Sequence, residues 1–401
     1  MFNIRKIDND LFYLGCSDRR IQLFESAYPV PKGISYNSYL LKDEKNVLFD
    51  TVDRTCACQF FNKLETALSA ESLDYLIVQH MEPDHASLIE EIIKKYPTVK
   101  IVCTAKAQAM IKQFFNFDID SFVQVVKEGD VLNTGKHELQ FIMAPMVHWP
   151  EVMVTYDKTT QTLFSADAFG SFGAINGNLF DDEVAWKHEY LDETRRYYTN
   201  IVGKYGLQVQ MLLKKVSNLE IKQICPLHSL IIRENIEFFI EKYNQWSTYT
   251  PETNGIMIAY TSVYGGTESA VELLASKLAE KGIKNIKMFD LSYTDSSIVL
   301  AEAFKHSHIV LASTTYNAGI FESMQAFIHS LVAHNLQNRK FIIIENGSWA
   351  ATCGSLIKTE LEKLKGSEFI TDSLCVKSTL KEEQIVDLDN VVITIENSLK
   401  M

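Results

Sequence analysis

No run of about 18 consecutive apolar residues occurs in this 401-residue chain, so no membrane-spanning helix is expected. The N-terminal stretch MFNIRKIDND has no apolar signal-peptide core, which points to a folded cytoplasmic protein. Positive charge is also in short supply. Lys and Arg number 39 against 51 Asp and Glu, a net charge of −12, which argues against nucleic acid or an anionic membrane as the main partner. Cysteine is sparse and scattered: Cys16, Cys56, Cys58, Cys103, Cys225, Cys353 and Cys375. The number is odd and no C-x-x-C pair occurs. A disulfide framework, a structural zinc and a fused rubredoxin module are therefore not expected, and the thiols are expected to be buried and reduced. Internal repeats and low-complexity segments are lacking as well.

The composition that remains, 46 % hydrophobic and 22 % charged, is that of a soluble globular protein. Its length exceeds one ordinary core, and two domains of roughly 150–250 residues are expected. Residues 1–130 begin with short apolar or alternating runs such as LFYLGC and NVLFDT, then turn to strand–loop–helix units such as DYLIVQH followed by ASLIEEIIKKY. Strand signals return over 122–166, ending in the hairpin MVTYDKTTQTLFSAD, and a long helical stretch covers about 183–216. This order suits two sheets packed face to face with helices outside. The polar segment STYTPETNG, 247–255, marks a break, dividing the chain into 1–250 and 251–401. Beyond it strands and helices alternate regularly, which predicts a doubly wound parallel sheet.

The densest chemistry lies in IVQHMEPDHASLIEE, residues 77–91. A strand delivers its carboxyl end to a loop carrying His80, Glu82, Asp84 and His85. In an extended segment alternate side chains point the same way, so His80, Glu82 and Asp84 can converge, with His85 just beyond. A solvated loop with Asp84 as a helix N-cap would explain the aspartate, but not two histidines and a glutamate. Three further candidates also follow strands: His148 in APMVHWPE, Asp167 in LFSADAFG and His228 in QICPLHS. Singly, each could be a core histidine or a turn aspartate. Together they resemble the metallo-β-lactamase superfamily, whose first motif is HxHxDH. Asp50 in VLFDT resembles that superfamily's early structural aspartate. Glu82 stands where the second histidine is usual. Carboxylates favour harder ions than imidazoles do, and Glu82, Asp84 and Asp167 beside the histidines resemble a non-haem di-iron set. Zinc has no redox chemistry, so a hydrolase would not need the exchange.

After the strand GIMIAY, the segment TSVYGGTESA opens a helix, and glycines, hydroxyls and backbone N–H groups at a helix start can cradle a phosphate. It has neither G-x-G-x-x-G spacing nor a P-loop lysine. It resembles the flavodoxin phosphate loop, with Ser262, Gly265 and Thr267 matching, Tyr264 at a position where threonine is common, and Val263 and Gly266 completing the loop. Two later strand-end loops suit the flavin ring. One carries Ser313, Thr314, Thr315, Tyr316 and Asn317. The other carries Ser348, Trp349, Ala350 and Ala351. Trp349 could stack on the ring or belong to the core. No acidic residue is placed for a 2′-hydroxyl, which favours FMN over NAD.

Taken over essentially the whole chain, these features resemble the flavodiiron proteins. The fold this implies is α/β: an N-terminal metallo-β-lactamase-like αββα sandwich and a C-terminal flavodoxin-like doubly wound parallel sheet. One iron would take His80, Glu82 and His148, the other Asp84, His85 and His228, with Asp167 bridging. The family's activity implies reduction of dioxygen to water, of nitric oxide to nitrous oxide, or both. It also implies an external donor, rubredoxin or reduced coenzyme F420, and a head-to-tail homodimer, in some cases a dimer of dimers. Ser229 follows His228 where the family commonly has glycine, and AATCG departs from a Gly-rich version of the third flavin loop. Two other classes are a di-zinc hydrolase fused to a flavodoxin domain, and an electron carrier with an N-terminal dimerisation scaffold.

Overall fold

The computed structural model describes residues 4–400. The chain forms two compact units: one runs up to Tyr198 and includes Leu207–Asn244, and the other takes Thr199–Gly206 and everything from Gln245 onward.

The first unit contains two larger sheets. Strands β1 (Arg5–Lys6), β2 (Leu11–Tyr13), β3 (Tyr39–Leu41), β4 (Val47–Phe49), β5 (Tyr75–Ile77), β6 (Lys100–Cys103) and β7 (Val123–Val125) lie side by side in that order. Pairing is antiparallel up to β4 and parallel from β4 to β7. The second sheet orders β8 (Val131–Asn133), β9 (Glu138–Met143), β10 (Met153–Asp157), β11 (Thr162–Phe164) and β12 (Gln223–Cys225). All of it is antiparallel except the last pair, β11 with β12. The inner faces meet through Tyr39, Phe49, Ile77, Val102, Leu139, Phe141 and Phe164, all buried in one cluster. Phe49 and Phe164 stack at 3.7 Å between ring centroids. Helices Ala57–Leu68, Ala105–Phe114 and Ile236–Ser247 are amphipathic 10- to 12-residue segments. This is the αββα sandwich that the strand–helix order implied. The helical stretch near 183–216 is broken: helices Trp186–Glu189 and Leu191–Tyr197 give way to a π turn at Tyr198–Val202 before Gly206–Val216 resumes.

The second unit holds a sheet of β13 (Thr253–Tyr260), β14 (Lys287–Asp290), β15 (His306–Tyr316), β16 (Lys340–Asn346) and β17 (Leu374–Val376). All are parallel, with β14 and β15 flanking β13, β16 beside β15, and β17 beside β16. The spatial order 2-1-3-4-5 is the flavodoxin-like one, and its ligand crevice opens at the carboxyl ends where the order reverses, between β13 and β15. The strands are near-continuous apolar runs because helices cover both faces of such a sheet. No helix among the described residues is long and apolar enough to cross a membrane.

The cysteines depart from expectation in two respects. Cys16 and Cys56 form a disulfide, while Cys58, Cys103, Cys225, Cys353 and Cys375 are free. Composition could not reveal the bond, since it depends on two segments 40 residues apart being folded against each other. Cys58 is exposed and Cys375 half-buried, so burial holds for only part of the set.

Truncating the stacked ring should test the sandwich core. Phe164→Ala should lower the unfolding free energy by about 3–5 kcal/mol in denaturant titrations. A loss below about 1 kcal/mol would mean the sheets do not pack through this ring.

Candidate metal centre and phosphate-binding crevice

Each candidate ligand of the first unit follows the carboxyl end of a strand. β5 leads into His80, Glu82 caps the short helix Pro83–Ala86, and that helix carries Asp84 and His85. β9 leads toward His148, β11 ends three residues before Asp167, and β12 ends three before His228. The approach is bent at each loop. Met146, Ala166 and Ser229 all have positive φ (65°, 50° and 71°), the kind of sparsely populated backbone that clusters at functional sites. Glycine would suit position 229 for this reason. Serine adopts the same conformation here, its N–H donating to Ser35 Oγ at 2.6 Å.

The seven side chains fall into two groups whose ligand atoms lie within 4.8 Å of one another: His80, Glu82, His148 and Asp167; and Asp84, His85 and His228. All seven residues are buried. His80 Nε2 and His148 Nε2 each approach Glu82 Oε2 at 3.1 Å, and His148 Nε2 is also 3.1 Å from Asp167 Oδ2. His85 Nε2 lies 3.2 Å from Asp167 Oδ1 and 3.3 Å from Asp84 Oδ2. Asp167 therefore faces both groups, one oxygen toward each. His85 Nε2 and His228 Nε2 point at one another across 3.1 Å. Neither oxygen of Asp84 accepts a hydrogen bond, although both are buried. Unsatisfied buried carboxylate oxygens and imidazole nitrogens aimed at a common point fit multivalent cations.

Supporting bonds fix the rings. Glu151 Oε1 accepts from His80 Nδ1 at 2.8 Å and from the Met81 N–H, which leaves His80 Nε2 for the centre. The Ser35 carbonyl accepts from His228 Nδ1 at 2.6 Å. Asp50 accepts from the Gln79 backbone and side chain, so it holds the loop rather than facing the centre. Glu151 was not singled out from the sequence, although an acid three residues after a candidate ligand histidine is a usable signal. Tyr197 gave no signal at all: it sits in the helical stretch, fully buried, with its ring 5.5 Å from His228 and its hydroxyl unpartnered. Glu25 reaches the Glu82 carboxyl from a loop with φ of 51°.

Without a cation the carboxylates and imidazoles neutralise each other. Burial opposes charging of His80, but Asp167, Glu151 and Glu82 outweigh it and hold the ring well above its usual pKa. Against the same penalty, Asp84 and Asp167 hold His85 at about 9, and Asp167 and Glu82 hold His148 at about 9. Burial likewise opposes ionisation of Glu82 and Asp167, yet His148 and His80 keep the first, and His85 and His80 the second, well below the ordinary carboxylate range. Glu25 keeps part of its surface open, yet loss of solvent and then Glu82 push its carboxyl up to about 8.

In the second unit the segment after β13 folds back on itself. Ser262 Oγ accepts from Gly265 N at 3.1 Å and Glu268 N at 3.3 Å, and Gly265, at φ 86°, caps helix Gly266–Glu280. A Cβ on Gly266 would stand 2.0 Å from the Ser378 carbonyl, so only glycine fits. Thr267 Oγ1 pairs with Thr314 Oγ1 at 3.0 Å and receives Asn346 Nδ2 at 3.2 Å, which ties the loops of three strands together. The expected loop at 313–319 is in fact the end of β15, paired antiparallel with Gly319–Ile320 across a turn at Asn317 and Ala318. Ser348 Oγ accepts from Ser378 Oγ at 2.9 Å. Trp349 and Tyr264 are 95 % and 99 % exposed, so Trp349 is not a core residue, and Val263 and Tyr316 are exposed too. Ala350 is exposed and Ala351 half-buried on the same loop. Tyr293, after β14, is exposed as well and was not anticipated. A glycine-lined helix start flanked by exposed aromatic rings fits a flavin mononucleotide.

The chain is similar to several known proteins. A family model described as "ODP family beta lactamase" matches residues 34–229. An uncharacterized protein of Methanocaldococcus jannaschii is 30 % identical over 383 residues, covering 95 % of each chain. The anaerobic nitric oxide reductase flavorubredoxin of Klebsiella pneumoniae is 29 % identical over 361 residues, covering 89 % of this chain and 74 % of that one. The solved rubredoxin oxygen:oxidoreductase of Desulfovibrio gigas superimposes with a TM-score of 0.93 at 27 % identity, covering 99 % of both.

Removing the His80 acceptor should loosen metal binding: Glu151→Ala should weaken Fe(II) affinity about 10–100-fold in chelator competition. A variant binding as tightly as wild type would deny Glu151 its supporting role. In metal-free protein, Fe(II) must displace protons from His85 and His148. Affinity should therefore rise from pH 6.5 to about 9, by up to about tenfold per pH unit for each proton released. Stability of the metal-free fold runs the other way: the contribution of these histidines is full below pH 6.5 and lost as pH rises through about 9. Fe(II) affinity that stays flat across this window would contradict both.

Proposed function

The chain belongs to the flavodiiron proteins, and from that premise we propose that it is an oxidoreductase reducing dioxygen to water, nitric oxide to nitrous oxide, or both, at a di-iron site fed by FMN. The observation that carries this reading is Glu82: a third carboxylate beside Asp84 and Asp167, in contact with His80 and His148 where an imidazole would suit zinc. In this reading residues 1–250 hold the irons, one by His80, Glu82 and His148, the other by Asp84, His85 and His228, with Asp167 between them. Residues 251–401 hold FMN through Ser262–Thr267, Ser313–Asn317 and Ser348–Ala351. When bound, two ferrous ions supply one electron each and reduced FMN supplies two, which meets the four that dioxygen needs and exceeds the two that a pair of nitric oxide molecules needs.

The chain's own residues set the stage for that chemistry. Glu82, Asp84 and Asp167 bring charge of −3, offsetting much of the charge of two iron ions. Glu151 and the Ser35 carbonyl aim His80 and His228. Phe24, Tyr36 and Tyr197 pack their rings within 6 Å of His228 and keep water from that side. The di-zinc hydrolase is not favoured, since it needs neither the carboxylate at 82 nor a flavin crevice.

For the donor we favour a rubredoxin-type protein in the cytoplasm. One similar protein is named for rubredoxin and oxygen and another is a flavorubredoxin. Reduced coenzyme F420 is the second donor to try. A head-to-tail homodimer would cover the exposed rings of Tyr264, Tyr293 and Trp349, an apolar rim that a lone chain leaves in water.

His148→Ala should keep FMN bound yet lose more than about 100-fold in consumption of both gases, assayed anaerobically with reduced rubredoxin. Wild-type consumption of either gas by this variant would reject the di-iron reading and favour a simple electron carrier.

A further inference from the structure

The disulfide absent from the expectations occupies a telling place. Cys16 opens the short strand Cys16–Asp18, which pairs antiparallel with Ile34–Tyr36: Cys16 opposite Tyr36 and Ser17 opposite Ser35. Ser35 is the residue whose carbonyl takes the His228 Nδ1–H and whose hydroxyl takes the Ser229 N–H. Cys56 closes the turn Arg54–Cys56, its N–H bonded to the Asp53 carbonyl. Five residues before it, Thr51 donates both its N–H (2.8 Å) and its hydroxyl (2.6 Å) to the carbonyl of His85. In the same segment Val52 O accepts from Ser87 Oγ, and Arg54 donates to Ser87 O at 2.7 Å. The bond therefore joins the segment that supports His228 to the segment that supports His85.

These two histidines belong to one group with Asp84, and they are not equally supported. His80 and His228 each give Nδ1–H to a fixed acceptor. His85 Nδ1 is buried and has none, so its ring is placed by its backbone, by packing and by the Nε2 contacts with Asp167 and His228. That backbone is held by Thr51, which makes His85 the ligand most sensitive to where residues 51–56 sit.

We propose that the Cys16–Cys56 disulfide is a positioning clamp for His85 and His228, so that the thiol–disulfide state of this pair sets the affinity for the second iron. The proposal rests on the ligand assignment given above. Both cysteines are buried, and Cys16 lines a cavity of about 390 Å³ together with Gln59, Lys63 and Arg19, the side from which a reductant would reach the bond. A thiolate of a dithiol reductant attacks one sulfur, the S–S bond breaks, and a mixed disulfide forms. The reductant's second thiol then displaces the protein sulfur. Net, two electrons and two protons pass to Cys16 and Cys56, and the reductant leaves as its own disulfide. The closed bond limits how far the 16–18 and 54–56 segments can separate; opened, it removes the covalent tie between the Thr51 segment that holds the His85 backbone and the strand that supports His228.

The test titrates metal-free protein with Fe(II) under argon against a chromophoric chelator. Two forms are compared: disulfide-bonded protein, and protein reduced with dithiothreitol and then desalted. Denatured samples should show five free thiols in the first and seven in the second, the extra two from Cys16 and Cys56. The bonded form should take two Fe(II) per chain. The reduced form should keep the first affinity and bind the second at least about tenfold more weakly, the scale of a lost supporting contact. Cys16→Ser with Cys56→Ser should match the reduced form, and Cys58→Ser should match wild type. Equal second-iron affinity in both thiol states, or seven free thiols after mild oxidation, would overturn the clamp. Failure of the bonded form to bind two irons would instead overturn the ligand assignment, so the two ideas fail in different ways.

Discussion

Glu82, Asp84 and Asp167 carry three carboxylates into a pocket where all seven candidate ligand residues are buried, and the bonds and packing around them must make that arrangement tolerable. Ionised groups in a poorly solvated site are costly unless paired. The metal-free protein pairs them by protonating the histidines, as the raised pKa values of His80, His85 and His148 indicate. Bound cations would do the same with charge to spare. Asp167, with one oxygen toward each group, is the side chain that faces both.

The sandwich provides the rigidity this requires. Strand ends deliver the ligands from two different sheets, so the packing of Phe49 on Phe164 and their neighbours determines whether β5 and β11 present His80 and Asp167 in register. The loops that follow carry strained φ values at 146, 166 and 229, held by bonds such as Ser229 N–H to Ser35 Oγ. In the second unit the loops at the strand ends are held in the same way: glycine at 266 where the Ser378 carbonyl presses in, and Asn346 tying the loop after β13 to that after β17.

Much of this was legible in the sequence because strand ends and ligands coincide. HMEPDH, VHWP, SADA and PLHS each follow an apolar run, and the strand–helix alternation after residue 251 gave the parallel sheet. What was not legible depends on tertiary proximity. Glu151 supports His80 from 71 positions away. Tyr197 lies against His228, at the end of helix Leu191–Tyr197, where the α-helix gives way to a π turn. Cys16 meets Cys56 only once the strand at 16–18 has found its partner at 34–36. Seven scattered cysteines without a C-x-x-C pair looked inert, and composition has no means of distinguishing the two that bond from the five that do not.

The central claim is that the carboxylate at position 82 marks a redox-active pair of irons. ⁵⁷Fe Mössbauer spectroscopy of the purified chain, with metal and flavin content measured on the same sample, tests it most directly. The account predicts two irons and one FMN per chain. It also predicts a diferric spectrum of an antiferromagnetically coupled pair that turns ferrous as the reduced flavin is oxidised. Zinc in place of iron, or two irons that do not change oxidation state when the flavin is reduced, would contradict it.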